Sequence, residues 1–157
     1  MKVRNVMTSD VVTCRPEETL AALAGKMWDG DCGVVPVVDD QNRPIGLITD
    51  RDAFIAVATR NLRPSEIRVQ EAMHPATLVT ASPEDDVRTA LQRMAASQVR
   101  RLPVVDDRGT LVGIMTISDP ILHSPRSGDA EHQNEIVRTL EAICVPRQQN
   151  GGAQANA

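Results

Sequence analysis

The stretch Gly46-Leu47-Ile48-Thr49-Asp50-Arg51-Asp52 returns 67 residues later as Gly113-Ile114-Met115-Thr116-Ile117-Ser118-Asp119. In both places an apolar run of strand character ends in a threonine, and a carboxylate follows three residues on, where a helix would begin. Two chemistries fit that spacing. A helix start offers free amides and the positive end of the helix dipole to an anion; the Thr hydroxyl adds a donor, and the Asp can accept from sugar hydroxyls, so the pattern can hold a phosphate and a ribose. Thr-x-x-Asp is also close to a capping box, which satisfies the helix's own orphan amides without any ligand. A single occurrence does not separate the two. Its repetition bears on the choice.

Slid against itself by 67 residues, the chain aligns from Pro16–Asp52 to Pro83–Asp119 without a gap, and 11 of 37 positions are identical, among them Pro36/Pro103, Asp39/Asp106, Gly46/Gly113, Thr49/Thr116 and Asp52/Asp119. Upstream, with one extra residue in the second copy, Val6-Met7 pairs with Ala72-Met73. Units of about sixty residues bury too little surface to be comfortable alone, so the two are expected to pack on each other. In the first, Val11–Cys14 reads as a short strand. Leu20, Leu23, Ala24, Met27 and Trp28 then have the spacing of one helix face, stopped at Asp29-Gly30-Asp31. Val34–Val38 reads as a buried strand whose Pro36 lacks an amide donor and so marks an edge or an interrupted ladder. Asp39–Asn42 turns the chain into Ile45–Ile48, and a helix from Asp50 is expected to bury Ala53, Phe54, Val57 and Ala58. The second unit repeats the order with a strand at Leu78–Thr80, a helix face of Val87, Ala90, Leu91, Met94 and Ala95, a strand through Pro103, a turn at Asp106–Gly109 and a strand from Leu111 to Met115. The expected class is α+β, with two tandem β-α-β-β-α repeats spanning 1–62 and 63–124. An amphipathic helix in 125–146 follows, with Ile136, Val137, Leu140, Ile143 and Cys144 on one face and Asp129 as its cap. The Gln-, Asn-, Gly- and Ala-rich stretch 147–157 is expected to be disordered.

Composition narrows the function. Hydrophobic residues make up 41% and charged residues 24%, as in an ordinary water-soluble domain, and the net charge of −4 with only Trp28 and Phe54 as aromatics argues against a nucleic-acid surface, which needs a basic field and stacking rings. The first residues hold no apolar run of signal-peptide length and no stretch is long enough to span a membrane, so a cytoplasmic location is expected. Cys14, Cys32 and Cys144 are odd in number and far apart, which signals neither a disulfide framework nor a zinc site. The three histidines, His74, His123 and His132, are equally scattered. No nucleophile and base pair is visible, so the chain is not expected to be an enzyme.

The paired units, each carrying apolar-Pro-Val-Val-Asp-Asp and then Gly-x-x-Thr-x-x-Asp, resemble a tandem pair of cystathionine-β-synthase (CBS) domains, a Bateman module, over roughly Val3 to Leu122. The resemblance implies a pseudo-two-fold arrangement of the repeats, a homodimer, and regulatory binding of an adenine nucleotide such as AMP, ADP or ATP. Carried over by position, Thr49 with Asp52 and Thr116 with Asp119 would serve the phosphate and ribose, and Val12, Thr13, Val35, Val79, Thr80 and Leu102 would border the adenine. The two sites differ. The first has Arg51 inside the motif and Val34 before its Pro; the second has Ser118 in place of Arg51, and Arg101 where family members often carry a phosphate-contacting Arg. A solvated charge pair, Arg100 with Arg101, is the alternative there, and Asp119, followed by Pro120, can be read as a helix cap. The resemblance implies a module that acts on an unidentified protein partner. The competing readings are a ligand-free interaction module and a redox- or metal-responsive protein using Cys14 or Cys32. The expected dimer is motivated by Leu20, Leu23, Met27, Val87, Leu91 and Met94, more apolar surface than each small sheet covers.

Overall fold

The structure, a computed structural model, describes residues 1–73, 78–123 and 130–145, with side chains from 133 onward in the last segment. The chain runs through α1 (Leu20–Asp29), β1 (Val34–Val38), β2 (Pro44–Thr49), α2 (Asp50–Arg60), α3 (Val69–Ala72), α4 (Val87–Ser97), β3 (Arg101–Val105), β4 (Leu111–Thr116), α5 (Asp119–His123) and α6 (Ala130–Cys144). Strands β1 and β2 form one antiparallel pair and β3 and β4 another, with the register shifting at Val37/Val38 and at the matching Val104/Val105. The α+β class and the two tandem CBS-like repeats, with a C-terminal helix after them, are therefore as expected. The connecting turns match as well. Asp39 Oδ1 accepts from the amides of Gln41 and Arg43, both at 2.9 Å, and Asp106 Oδ1 accepts from those of Arg108 at 2.9 Å and Thr110 at 2.8 Å. These backbone bonds and the Arg43 guanidinium hold the Asp39 carboxyl below its usual range.

The first strand expected in each repeat is a single parallel bridge. Cys14 donates its amide to the Pro36 carbonyl at 3.1 Å and accepts from the Val38 amide at 2.9 Å. Extending that ladder by one rung towards Val12 would require the amide of Pro36 as donor, which proline lacks. Ala81 bridges β3 identically, through the Pro103 carbonyl at 3.0 Å and the Val105 amide at 2.9 Å, and Pro103 stops the ladder at the same rung. The prolines read from the sequence as interrupting the sheet do so, and Val11–Thr13 and Leu78–Thr80 lie alongside without strand pairing.

Each repeat borrows the segment that precedes the other. Val3 and Val6, from a 3₁₀ turn at Val3–Asn5, lie in the core of the second repeat beside Leu91, Met94, Leu102 and Met115, while Ile67 and Val69, from the connector, lie in the core of the first beside Leu23, Val35 and Ile48. Backbone bonds mirror this exchange. The amides of Val3 and Arg4 reach the carbonyls of Asp85 and Pro83 at 3.0 and 3.1 Å, and those of Val69 and Gln70 reach Glu18 and Pro16 at 2.8 and 3.1 Å. Burying these side chains in the opposite repeat answers the small-domain problem, because neither unit of about sixty residues has enough apolar surface alone.

Helix positions are partly redistributed. In α2 the inward stripe is Ala53, Ala56 and Val57; Phe54 is 73% exposed and Ala58 is exposed, contrary to the expected burial. In α1, Leu20 and Leu23 are buried and Met27 packs against them, but Ala24 is exposed and Trp28 is 87% exposed. The six residues that motivated a dimer therefore fill, or pack against, the core of their own repeat. On α6, Ile136 is buried and Leu140 and Ile143 pack on the second-repeat core against α4, whereas Val137 and Cys144 face outward. Residues 74–77, 124–129 and 146–157, including His74, the Asp129 cap and the tail, lie outside the described residues, as does the side chain of His132.

Candidate ligand cleft

Both Thr-x-x-Asp elements close on themselves. Thr49 caps α2: its Oγ1 accepts from the Asp52 amide at 3.1 Å, and Asp52 Oδ2 accepts from the Thr49 amide at 3.0 Å and hydroxyl at 2.7 Å. In the second repeat Asp119 Oδ2 accepts from the Thr116 amide at 2.6 Å, and the Thr116 hydroxyl pairs with that of Ser118 at 2.7 Å. In both copies the Asp carboxylate accepts from the Thr amide, but the reciprocal capping box forms at Thr49 and not at Thr116, whose hydroxyl is turned to Ser118. Asp119 is the first residue of α5, preceded by Ser118, whose carbonyl accepts from the Ile121 and Leu122 amides; its carboxylate turns back to Thr116 and does not serve as the N-cap expected from Pro120.

A cleft of about 340 Å³ opens between the repeats, lined by Val11, Val12 and the turn Gly30–Val34 from the first and by Arg101, Ile114 and Thr116 from the second, with Thr8 and Asp10 of the N-terminal segment at its side. That is the size of a small-molecule site. Of the residues expected to form a site, Val12, Arg101 and Thr116 meet here. Asp119 is buried behind Thr116, and Val35 and Leu102 are wholly buried in the two cores, beneath the surface they were expected to border. The Thr13 carbonyl accepts from Lys26 Nζ at 2.9 Å, the Thr80 carbonyl accepts from Arg93 at 3.2 Å, and Val79 packs on the second core. Arg51 is exposed on the first turn of α2. Thr49 is half-buried outside the cleft lining, and Asp52 lines a separate cavity of about 220 Å³ with Ile55, Thr59, Arg60, Glu71 and Met73.

Arg101 is half-buried at the start of β3, opposite Thr116, and among the described residues its guanidinium makes no ion pair or hydrogen bond. An arginine so placed has the chemistry to take an anion through charge-assisted hydrogen bonds. The other charged groups of the lining are two carboxylates, Asp10 and Asp31. No motif in the sequence singles out Thr8, Asp10 or the Asp31–Gly33 turn as site residues. Their signals were weak: Thr8 is carried to the cleft by its two backbone bonds to Ile114, at 3.0 and 2.9 Å, and a Cβ on Gly30 would come within 2.8 Å of Val12 Cγ2.

The CBS domain model matches residues 3–59 and 69–123, the two repeats just described. The chain belongs to the CBS-domain family. It is 35% identical over 125 residues to the uncharacterized protein MK0525 of Methanopyrus kandleri, covering 80% of this chain and 63% of that one. It also matches inosine-5'-monophosphate dehydrogenase of Mycobacterium tuberculosis, 36% identical over 113 residues, but spans only 20% of that protein's length. Among solved structures, hypoxic response protein I with two coordinated zinc ions has a TM-score of 0.71 at 31% identity, covering 80% of this chain and all of that one. The cytosolic domain of the Mg²⁺ channel MgtE in complex with ATP has a TM-score of 0.65 at 28% identity, covering 76% and 47%.

The thiols of this CBS pair are unequal. Cys14 is buried and its pKa is pushed up to about 12, first by that burial and then by the charge of Glu18, with Lys26 opposing. A thiol that ionises only there is a poor nucleophile at neutral pH. Cys32 is half-buried in the cleft wall, and Cys144 is exposed. Among the described residues no three His, Cys, Asp or Glu side chains are grouped to hold a metal ion, and no helix is long and apolar enough to cross a membrane.

Proposed function

We propose that this CBS pair is a regulatory module, not an enzyme, that binds an adenine nucleotide in the inter-repeat cleft and passes the resulting change of shape to a protein partner in the cytoplasm. The observation that carries this reading is Arg101, a half-buried cation without an ion-pair or hydrogen-bond partner among the described residues, set beside Thr116 in a cleft of nucleotide-compatible size. ATP in the related MgtE domain supports the ligand class. With one arginine and two carboxylates among the lining side chains, the cleft favours a single phosphate, so AMP is the preferred ligand over ADP and ATP, whose added charge would meet Asp10 and Asp31. A thermal-shift series tests it. AMP at ten times its dissociation constant is expected to stabilise the fold by about 1.4 kcal/mol, a rise of about 3–6 °C, with smaller shifts for ADP and ATP at equal concentration. No shift with AMP, ADP, ATP or adenosine would sink the reading and leave the ligand-free interaction module.

The module acts as a homodimer in this reading. Phe54 and Ile55 in α2 correspond, at the 67-residue shift, to Ile121 and Leu122 in α5, and the four are 73, 44, 51 and 76% exposed. With Trp28 they put five large exposed apolar side chains on the helices that follow each motif and on α1, the surface that a second copy would cover in this reading. Sedimentation at tens of micromolar is expected to give a species of twice 17.0 kDa, and Phe54→Glu with Leu122→Glu a folded monomer. A wild-type monomer, or a double variant that remains dimeric, would contradict this interface.

A further inference from the structure

The two halves of the cleft differ in what stands behind them. Behind the second half is α6, whose last carbonyls are held by one side chain: Gln98 Nε2 donates to the Ala142 carbonyl at 3.2 Å and to that of Val145 at 3.4 Å. Gln98 is the C-cap of α4 in the left-handed region, φ 50°, a conformation that costs a non-glycine residue free energy unless something holds it. Three residues later the chain delivers Arg101 to the cleft. The intervening turn is tied at both ends, by the Val99 amide to the Met94 carbonyl and by the Ile117 amide to the Arg100 carbonyl, both 3.0 Å, and Ile117 follows the cleft residue Thr116. The first repeat has the same turn without the helix. Asp31, φ 45°, takes the place of Gln98, the Cys32 amide bonds the Met27 carbonyl at 3.0 Å, and the Asp50 amide bonds the Gly33 carbonyl at 3.2 Å. There the equivalent residue lines the cleft and carries Val34 where the second repeat carries Arg101.

We propose that Gln98 is a positioning residue for phosphate recognition: by clamping the end of α6 it fixes the left-handed turn that aims Arg101 at the cleft, so α6 sets the affinity of one half-site and its detachment is the signal that half-site sends. The physical link is short and contiguous, one side-chain amide, one strained residue and one backbone bond, and it exists only in the repeat that owns the arginine. Coupling of this kind is reciprocal, so whatever loosens α6 weakens phosphate binding by the same factor that phosphate binding tightens α6. The inference rests on the nucleotide reading for its ligand but not for its mechanics, and two measurements keep these apart.

The test is Gln98→Asn, which keeps an amide and a residue that tolerates the left-handed region while withdrawing the donor by one methylene. Calorimetric titration is expected to show AMP binding weakened about fivefold, the low end of coupling between sites, with adenosine binding unchanged. Hydrogen exchange is expected to show the Val99 and Ile117 amides opening faster than in the wild type without any ligand present. Equal losses for AMP and adenosine would overturn the proposal in favour of a general packing role, and unaltered AMP affinity despite faster exchange in α6 would overturn it as well. Should the wild type bind neither ligand, the nucleotide reading falls; the exchange result then decides the clamp by itself, and unaltered protection at Val99 and Ile117 would refute it.

Discussion

Gly113→Ala is expected to destabilise the fold by about 1–3 kcal/mol, while the symmetry-related Gly46→Ala costs less than about 1 kcal/mol. The two glycines occupy the same place in the two motifs, so sequence alone treats them as equivalent. A Cβ on Gly113 would lie 2.6 Å from Met7 Sδ and 3.0 Å from the Thr8 carbonyl, and that carbonyl is fixed by its bond from the Ile114 amide at 2.9 Å. Backbone and mid-chain atoms must both move, which loosens the N-terminal segment from the second repeat and with it the Thr8 side of the cleft. At Gly46 the near atom is the terminal methyl of Met73, at 2.5 Å, with Sδ already at 3.6 Å, and a methionine end swings aside at little cost. Urea denaturation of the two variants measures the difference directly. Equal losses would show that the exchanged segments are held alike, contrary to these contacts.

Arg101→Ala should weaken AMP binding at least tenfold, or ~1.4 kcal/mol, and leave adenosine nearly unaffected; Arg101→Glu should weaken AMP about a hundredfold, ~2.7 kcal/mol, because it replaces a charge-assisted donor with a like charge beside Asp10 and Asp31. Adenosine offers the guanidinium nothing to hold. Added salt should weaken the wild-type AMP complex more than that of Arg101→Ala, since part of the screened attraction is gone in the variant. Titrations with both ligands at two salt concentrations decide the matter. Equal losses for AMP and adenosine would make Arg101 a support for the shape of the cleft, and no loss for either would return it to a solvated surface arginine.

What the sequence determined is local and periodic. The 67-residue repeat is read directly from the order of residues, and the helix face of α4, the turns at Asp39 and Asp106 and the cap at Thr49 follow from short-range rules, because each depends on residues within one or two turns of each other. Even the lost outer strands were half-legible, through the missing amides of Pro36 and Pro103. Tertiary structure decided everything that depends on which surface meets which. Apolar identity did not reveal that Phe54 and Trp28 face outward, since burial is set by the partner surface and the inward stripe of α2 was already filled by Ala53, Ala56 and Val57. Nor could spacing show that Val3 completes the far repeat, that Val35 and Leu102 sink below the cleft floor, or that Thr8 and Asp31 reach its edge. The two Thr-x-x-Asp motifs part for the same reason: the bond from the Thr amide to the Asp carboxylate is local and both copies make it, whereas a cleft is assembled from both repeats, and Arg101, which the sequence already sets against Val34, enters it with a helix behind.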